Sequence, residues 1–238
     1  MSELSEIKLY STYPHDCSYL PDRQATTLFI DPKTPVTREI YTRLSEIGFR
    51  RSGTHIYRPR CESCQACIPA RIPVASFKRN RNQQRCWTKN QDIDALHVGD
   101  ISHDEYYELY SRYINGRHAD GDMYPPDEEQ YQSFLCSPSP ETLYTGFHLA
   151  GELLGVAVID VLENGLSAIY TFYEPKQDTR SLGKFFILWQ IEHARALGLD
   201  YLYLGYWIAD CQKMSYKSHY RPLEIYRDGR WTLLESDE

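Results

Sequence analysis

Three thiols stand three residues apart in Cys61-Glu62-Ser63-Cys64-Gln65-Ala66-Cys67. That spacing lets one turning segment aim all three sulfurs at a single centre. A Cys-x-x-Cys-x-x-Cys run is closer to an iron-sulfur ligand set than to a zinc site, which prefers two separated Cys-x-x-Cys pairs. The run lacks a fourth ligand, and Cys17, beside His15 in a Pro-rich stretch, is the leading candidate to supply it. The readings are an iron-sulfur cluster, zinc completed by a histidine, or a thiol cluster that holds no metal. Cys86, Cys136 and Cys211 stand alone, and buried packing is the default for such cysteines. Seven cysteines, an odd number with three crowded together, do not form an exported disulfide framework, so the reducing cytoplasm is the expected compartment.

His118 is the second candidate for chemistry. It sits in Arg117-His118-Ala119-Asp120-Gly121-Asp122, where two carboxylates and a glycine suit either a proton shuttle or a polar turn. No Gly-x-Ser-x-Gly elbow is present, and no motif ties a histidine to a serine or cysteine, so covalent catalysis by the protein is not supported.

Charge supplies a third signal. The net charge of −7 argues against a protein that coats nucleic acid nonspecifically. Residues 50–89 nevertheless carry ten Lys and Arg against the single acid Glu62, a local charge of +9 that leaves −16 on the rest of the chain. Such a layout holds one RNA in one place while the acidic body repels it elsewhere; a solvated basic face is the alternative. Lys78, Arg79, Arg81, Arg85 and Lys89 are the candidate phosphate contacts, which position an RNA without reading its sequence.

The elements that must position these groups can be read in outline. The first residues, Met1-Ser2-Glu3-Leu4-Ser5-Glu6, are polar and acidic where a signal peptide needs a basic and then apolar stretch, and no run of about 18 apolar residues occurs. Neither export by that route nor a membrane is expected. Residues 26–30 read as a strand and residues 35–48 as a helix stopped by Gly48, whereas residues 56–74, with three prolines, read as loop with short extended pieces, and residues 77–90 as a polar, basic stretch. Beyond a boundary placed near residue 98, Ser102-His103-Asp104-Glu105 opens an amphipathic helix. Runs 143–149, 153–161 and 166–173 predict an antiparallel meander, followed by a helix over 179–197 and a strand over 201–206. The expected class is α+β, with residues 1–98 as an N-terminal Cys-containing region and residues 99–238 as the transfer domain. Strand, strand, strand, glycine-bearing turn, helix, strand is the order of the acetyltransferase-like (GNAT) acyl-transfer fold. There the turn Arg180-Ser181-Leu182-Gly183 would offer backbone N–H groups to an anion, although Phe185 replaces the usual second glycine and speaks against coenzyme A.

Several unrelated short patterns, spread in family order along nearly the whole chain, carry a more specific resemblance. Gly48-Phe49-Arg50-Arg51-Ser52-Gly53, Tyr57-Arg58-Pro59 ahead of the thiol triplet, Ser181-Leu182-Gly183, and residues 204–217 (LGYWIADCQKMSYK) resemble the aminoacyl-tRNA-protein transferase family, and the compact length and thiol triplet resemble its bacterial leucyl-transferring branch. The resemblance implies transfer of leucine from leucyl-tRNA to an N-terminal Asp or Glu of a protein, marking it for degradation, with arginine as the alternative donor. It implies no cofactor for the transfer itself and no DNA partner. Because they lie in these motifs, Arg50, Arg51, Lys213 and Lys217 are expected to meet the acceptor's acidic side chain, and Ser181, Leu182 and Gly183 to bind substrate. Tyr206, Trp207 and Tyr216 are expected to stack on the terminal adenine or line the aminoacyl pocket; His118, Tyr206, Lys213 and Tyr216 form the candidate catalytic set. The competing classes are a coenzyme A-dependent acetyltransferase and a noncatalytic RNA-binding redox sensor.

Overall fold

The computed structural model describes residues 7–136, 139 and 141–235, so the acidic start of the chain lies outside the described residues. In chain order the elements are β1 (Leu9–Ser11), β2 (His15–Asp16), β3 (Gln24–Ala25), β4 (Thr27–Ile30), α1 (Arg38–Glu46), β5 (Arg50–Ser52), β6 (His55–Pro59), β7 (Ile68–Pro73), α2 (Arg81–Lys89) and β8 (Ile93–Val98). They continue with α3 (Asp104–Arg117), α4 (Glu128–Leu135), β9 (Thr142–Leu149), β10 (Glu152–Val161), β11 (Gly165–Tyr173), α5 (Leu182–Ala196), β12 (Tyr201–Trp207), α6 (Gln212–Ser215), β13 (Glu224–Arg227) and β14 (Arg230–Leu233).

An eight-stranded sheet of order β14-β13-β7-β12-β11-β10-β9-β8 organises the molecule, and β1-β4-β6-β5 form a smaller sheet beside it. Every pairing in the large sheet is antiparallel except β11 with β12. The meander expected over 143–173 is present as β9, β10 and β11, and both faces of it are covered. Ala157 and Ile159 of β10 pack with Phe186 and Ile191 of α5, whereas Val156 and Val158 join Tyr110, Ile114 and Tyr131 of α3 and α4. Burial on both sides is why β10 reads as an almost unbroken apolar run instead of alternating.

Two expectations need revising. The stretch read as polar and basic over 77–90 contains α2, started by a reciprocal capping box in which the Asn80 side chain accepts from the Gln83 amide and the Gln83 side chain from the Asn80 amide. The stretch read as loop over 56–74 contains β7, an interior strand that pairs with both β12 and β13. Its prolines, Pro69 and Pro73, stand near the strand's ends and leave residues 70–72 to carry the central pairing. One consequence is that the large sheet runs across residue 98: β7 and β8, on the N-terminal side, are strands of it.

The two sheets are joined by polar anchors as well as packing. Asp160 of β10 accepts from Arg51 Nε at 2.6 Å and Nη2 at 2.7 Å, from Tyr41 Oη at 2.7 Å and from Thr142 Oγ1 at 2.9 Å. Tyr206 Oη donates to the carbonyl of Gly48 at 2.8 Å. Gly48 ends α1 with φ +91°, and a Cβ there would lie 2.8 Å from Pro69 Cγ, so both its backbone conformation and its surroundings require glycine. No helix among the described residues is long and apolar enough to cross a membrane.

Candidate active site

The site follows from how β11 and β12 part. Their parallel pairing is confined to Gly165–Ser167 against Tyr201–Tyr203. Beyond it, residues 168–171 of β11 and residues 204–206 of β12 both line a cavity of about 1250 Å³. Gly205, at φ +75°, lies where the register of β12 against β7 also shifts, between Tyr203 and Tyr206. The first turn of α5 supplies Gly183, the loop after α3 supplies His118 and Asp120, and the segment after β12 supplies Lys213, Met214, Tyr216 and Lys217. The motifs singled out in the sequence therefore converge on one space, although they are up to about 170 residues apart in the chain.

Within that space the candidates divide by what already engages them. Arg51 lines the cavity, but its guanidinium is spent inside the fold on Asp160, Thr142 and the carbonyl of Gly53. It is an anchor between sheets: four of its five N–H groups donate within the fold, and its charge is already met by Asp160. Lys213 Nζ meets Asp120 at 2.9 Å on the half-exposed rim. Arg50 and Lys217 are buried and have no carboxylate partner among the described residues. Burial first, and then the neighbouring Arg50, bring the Lys217 ammonium down from its ordinary value to about 7.

His118 Nε2 lies 3.0 Å from Tyr113 Oη, and its pKa is lowered by burial and then by Lys213. A neutral imidazole at neutral pH is the form able to accept a proton. Tyr216, on the cavity wall and partly exposed, has its hydroxyl pushed up to about 12 by burial and then by Tyr173, so it stays protonated and can only donate or accept a hydrogen bond. Tyr206 presents its ring to the cavity, whereas its hydroxyl is occupied by the Gly48 carbonyl, which leaves it a wall and not an acid.

Trp207, next along β12, points the other way: it is 3% exposed, packs in the core under α5 and does not line the cavity. Stacking of Trp207 on an adenine is therefore corrected to core packing, the usual outcome where side chains alternate along a strand. Of the Ser181-Leu182-Gly183 turn, only Gly183 reaches the cavity; Leu182 is in the core and Ser181 takes the left-handed conformation that starts α5. A Cβ on Gly183 would stand 3.1 Å from Tyr173 Oη, so the turn and β11 approach closely there.

Sequence reasoning missed Gln190 and Asp160. Gln190 of α5 is 1% exposed on the cavity wall with neither amide atom partnered. Only its place one turn beyond Ile187, on the side of α5 that lines the cavity, marks it out. Asp160 carried a visible signal, a lone carboxylate inside the apolar run of β10.

The four cysteines named as metal donors, Cys17, Cys61, Cys64 and Cys67, line a second cavity of about 590 Å³, and Cys17, Cys61 and Cys67 also border the first. Burial, followed by the neighbouring thiols of Cys61, Cys17 and Cys64, pushes the Cys67 thiol up to about 12. Their soft donor chemistry fits iron-sulfur or zinc. Among the described residues no group of three or more His, Cys, Asp or Glu is arranged to hold a metal ion as the side chains stand.

The five cations expected to meet phosphate lie on and around α2. Lys78, Arg81 and Arg85 are exposed; Arg79 pairs with Glu192 and covers the Trp87 ring at 4.6 Å, and Lys89 Nζ donates to the Thr179 carbonyl at 2.7 Å. Asn80, Asn82 and Gln83 of the same segment line the large cavity, so the exposed cations flank its edge. Replacing Arg81 and Arg85 together by alanine is expected to weaken tRNA binding and to lower the slope of log affinity against log salt by about 1 for every phosphate that is no longer neutralised. Filter binding across a salt series checks this, and an unchanged slope would remove α2 from the RNA surface.

Comparison with known proteins shows the family to which the chain belongs. The family models described as arginine-tRNA-protein transferase, N terminus and C terminus, match residues 15–85 and 105–227. The chain is 55% identical over 234 residues to a protein of Pseudomonas fluorescens named aspartate/glutamate leucyltransferase, covering 98% of this chain and 100% of the relative. A Pseudomonas paraeruginosa protein of the same name is 53% identical over the same extents. Among solved structures, FemX is similar over 85% of this chain and 80% of its own, at 9% identity and a TM-score of 0.46. The chain belongs to the arginine-tRNA-protein transferase family.

Proposed function

We propose that the protein transfers leucine from leucyl-tRNA to the N-terminal Asp or Glu of acceptor proteins, forming a peptide bond that marks the acceptor for degradation. The reaction takes place where β11 and β12 separate. Relatives of matching length name the donor and acceptor residues. The observation that carries the reading into this molecule is the large cavity, which brings buried cations, a neutral histidine and the edge of a basic helix to one place. Strand order, with α5 between the parallel strands β11 and β12, supports an acetyltransferase-like acyl-transfer fold.

The chemistry asks little of the protein's side chains. The acceptor's α-amine attacks the ester carbonyl carbon of the aminoacyl-tRNA, a C–N bond forms, the ester C–O bond breaks, and the ribose hydroxyl leaves with a proton. Aligning two bound reactants supplies roughly 7 to 11 kcal/mol of barrier reduction at best. The amine, with an unperturbed pKa of about 7.7 to 8.0, must shed its proton, and His118, neutral on the cavity wall, is the group that takes it. Gln190 offers an unpaired amide to the donor's carbonyl or amino group. Ile187, Leu204 and Met214 give the wall apolar surface suited to a leucyl side chain. Exposed Lys78, Arg81 and Arg85, with Arg79 and Lys89, hold the tRNA backbone. A cytoplasmic location is supported by the use of charged tRNA as donor.

Cys17, Cys61, Cys64 and Cys67 are the donors that would hold an iron-sulfur cluster, or zinc. When bound, such a group would tie the segment between β6 and β7 to the one between β2 and β3; the transfer needs no step through it.

The test is labelling of peptides that begin with Asp or Glu, using leucyl-tRNA and arginyl-tRNA in parallel. Leucine is expected on the peptide's N-terminus and arginine at a far lower rate; efficient arginine transfer would reassign the donor, and no transfer from either would reject the reading.

A further inference from the structure

Two buried cations at the cavity have no counter-charge among the described residues, whereas Lys184, the other unpaired cation on its wall, is exposed. Arg50 of β5 is 4% exposed; its Nη1 donates to the carbonyls of Ser45 at 3.0 Å and Phe49 at 2.6 Å, while Nε and Nη2 are buried without a partner. Its guanidinium lies 5.2 Å from the Tyr203 ring centre and 6.0 Å from that of Tyr206. Lys217, also 4% exposed, donates from Nζ to the Tyr206 carbonyl at 2.5 Å and lies 3.2 Å from Met214 Sδ. Both therefore meet around Tyr206, and both line the large cavity.

Their isolation sets them apart from the other two buried cations: Arg51 and Arg71 are each paired with an Asp or Glu side chain. A buried cation without an anion is among the costliest placements a fold can contain, and it persists where an anion arrives as ligand. The acceptor is the substrate with a carboxylate of the right kind, one carbon chain away from the amine that reacts.

We propose that Arg50 and Lys217 form the receptor for the side-chain carboxylate of the acceptor's N-terminal residue, and that this pair, not Arg51 or Lys213, sets the preference for Asp and Glu. The assignment rests on the transfer reading above. The two unpartnered nitrogens of Arg50, Nε and Nη2, form the fork that a carboxylate can meet, and Lys217 adds a second charge beside Tyr206. Arg51 is held by Asp160 and Lys213 by Asp120, so neither needs a ligand to be satisfied.

The experiment compares peptides starting with Asp and with Asn, which share shape and differ in charge, on wild-type protein, Lys217→Met and Arg50→Lys. Wild type is expected to prefer Asp strongly. Lys217→Met is expected to lose about two orders of magnitude in kcat/KM for the Asp peptide, to change little toward the Asn peptide, and to keep its KM for leucyl-tRNA. Arg50→Lys is expected to lose less than Lys217→Met, because it retains the charge and loses only the fork. Arg50 also ties two backbone carbonyls, so the unfolding temperature of each variant is measured with and without an Asp-Ala or Asn-Ala dipeptide. Asp-Ala is expected to raise it in wild type and not in Lys217→Met, with Asn-Ala inert in both. An Asp/Asn ratio unchanged in folded Lys217→Met, or an equal dipeptide shift in that variant, overturns the receptor. If no peptide is leucylated by wild type but Asp-Ala still stabilises only the wild type, the transfer reading falls and the receptor stands.

Discussion

Lys217→Met is expected to make the protein more stable while it impairs transfer. Lys217 is buried, touches no carboxylate among the described residues, and titrates near 7 because of burial and then the adjacent Arg50. In the unfolded chain the same ammonium keeps its proton to about pH 10.4. Between about pH 7 and 10 the unfolded state therefore binds more protons than the folded one, and linkage makes the folded state gain stability as pH rises through that window. Below pH 7 the buried charge is carried in full. Methionine keeps the unbranched stem and removes the charge, and replacement of buried ionic groups by apolar ones of similar volume stabilises by about 1 to 4 kcal/mol in favourable cases. The gain should be largest at pH 6, shrink toward pH 9.5, and show in urea unfolding at the two pH values. A variant less stable than wild type at pH 6 would mean that Lys217 is compensated in a way the structure does not contain. The residue is an example of stability given up for function, since the charge that weakens the fold is the one an acidic substrate needs.

The opposite sign is expected for Asp160→Asn. Asp160 is 0% exposed and accepts four hydrogen bonds, two from Arg51 and one each from Tyr41 and Thr142. Asparagine is nearly the same size, but it turns one accepting oxygen into a donor facing donors and leaves Arg51 a buried cation without its anion. Breaking a buried pair on one side costs about 3 to 5 kcal/mol. Urea unfolding measures it, and a loss below about 1 kcal/mol would show that water reaches the pair. Because Asp160 ties β5 and α1 to β10, transfer should fall with stability: Arg50, the neighbour of Arg51 on β5, is placed by the same anchor. The double variant Arg51→Met with Asp160→Leu should recover much of the stability, since removing both charges leaves no orphan.

These two substitutions also show where sequence reading reached and where it stopped. The helix at 182–196, the meander and β12 were legible because long apolar periodicities announce them, and the transfer motifs were legible because their residues are unusual together. Arg50 and Arg51 could not be told apart: adjacent residues on a strand face opposite sides, and only the position of Asp160, more than 100 residues later, decides which is tied down. The same alternation separates Tyr206, on the cavity, from Trp207, in the core. Strand β7 was hidden by prolines whose harmless placement near the strand ends depends on partners distant in sequence, and α2 by a polarity that masked its capping box. What chain patterns convey is local; which of two equivalent cations stays free is a tertiary fact.

Transfer requires one space to receive both reactants, and a structure of the complex with a leucyl-adenosine analogue carrying a stable amide in place of the ester, soaked together with an Asp-Ala dipeptide, tests that most directly. The leucyl carbonyl is expected between β11 and β12, within reach of the dipeptide's amine, with the Asp side chain against Arg50 and Lys217. Density for either ligand beside the four cysteines, or on the outer face of α2 with the large cavity left to solvent, would contradict it.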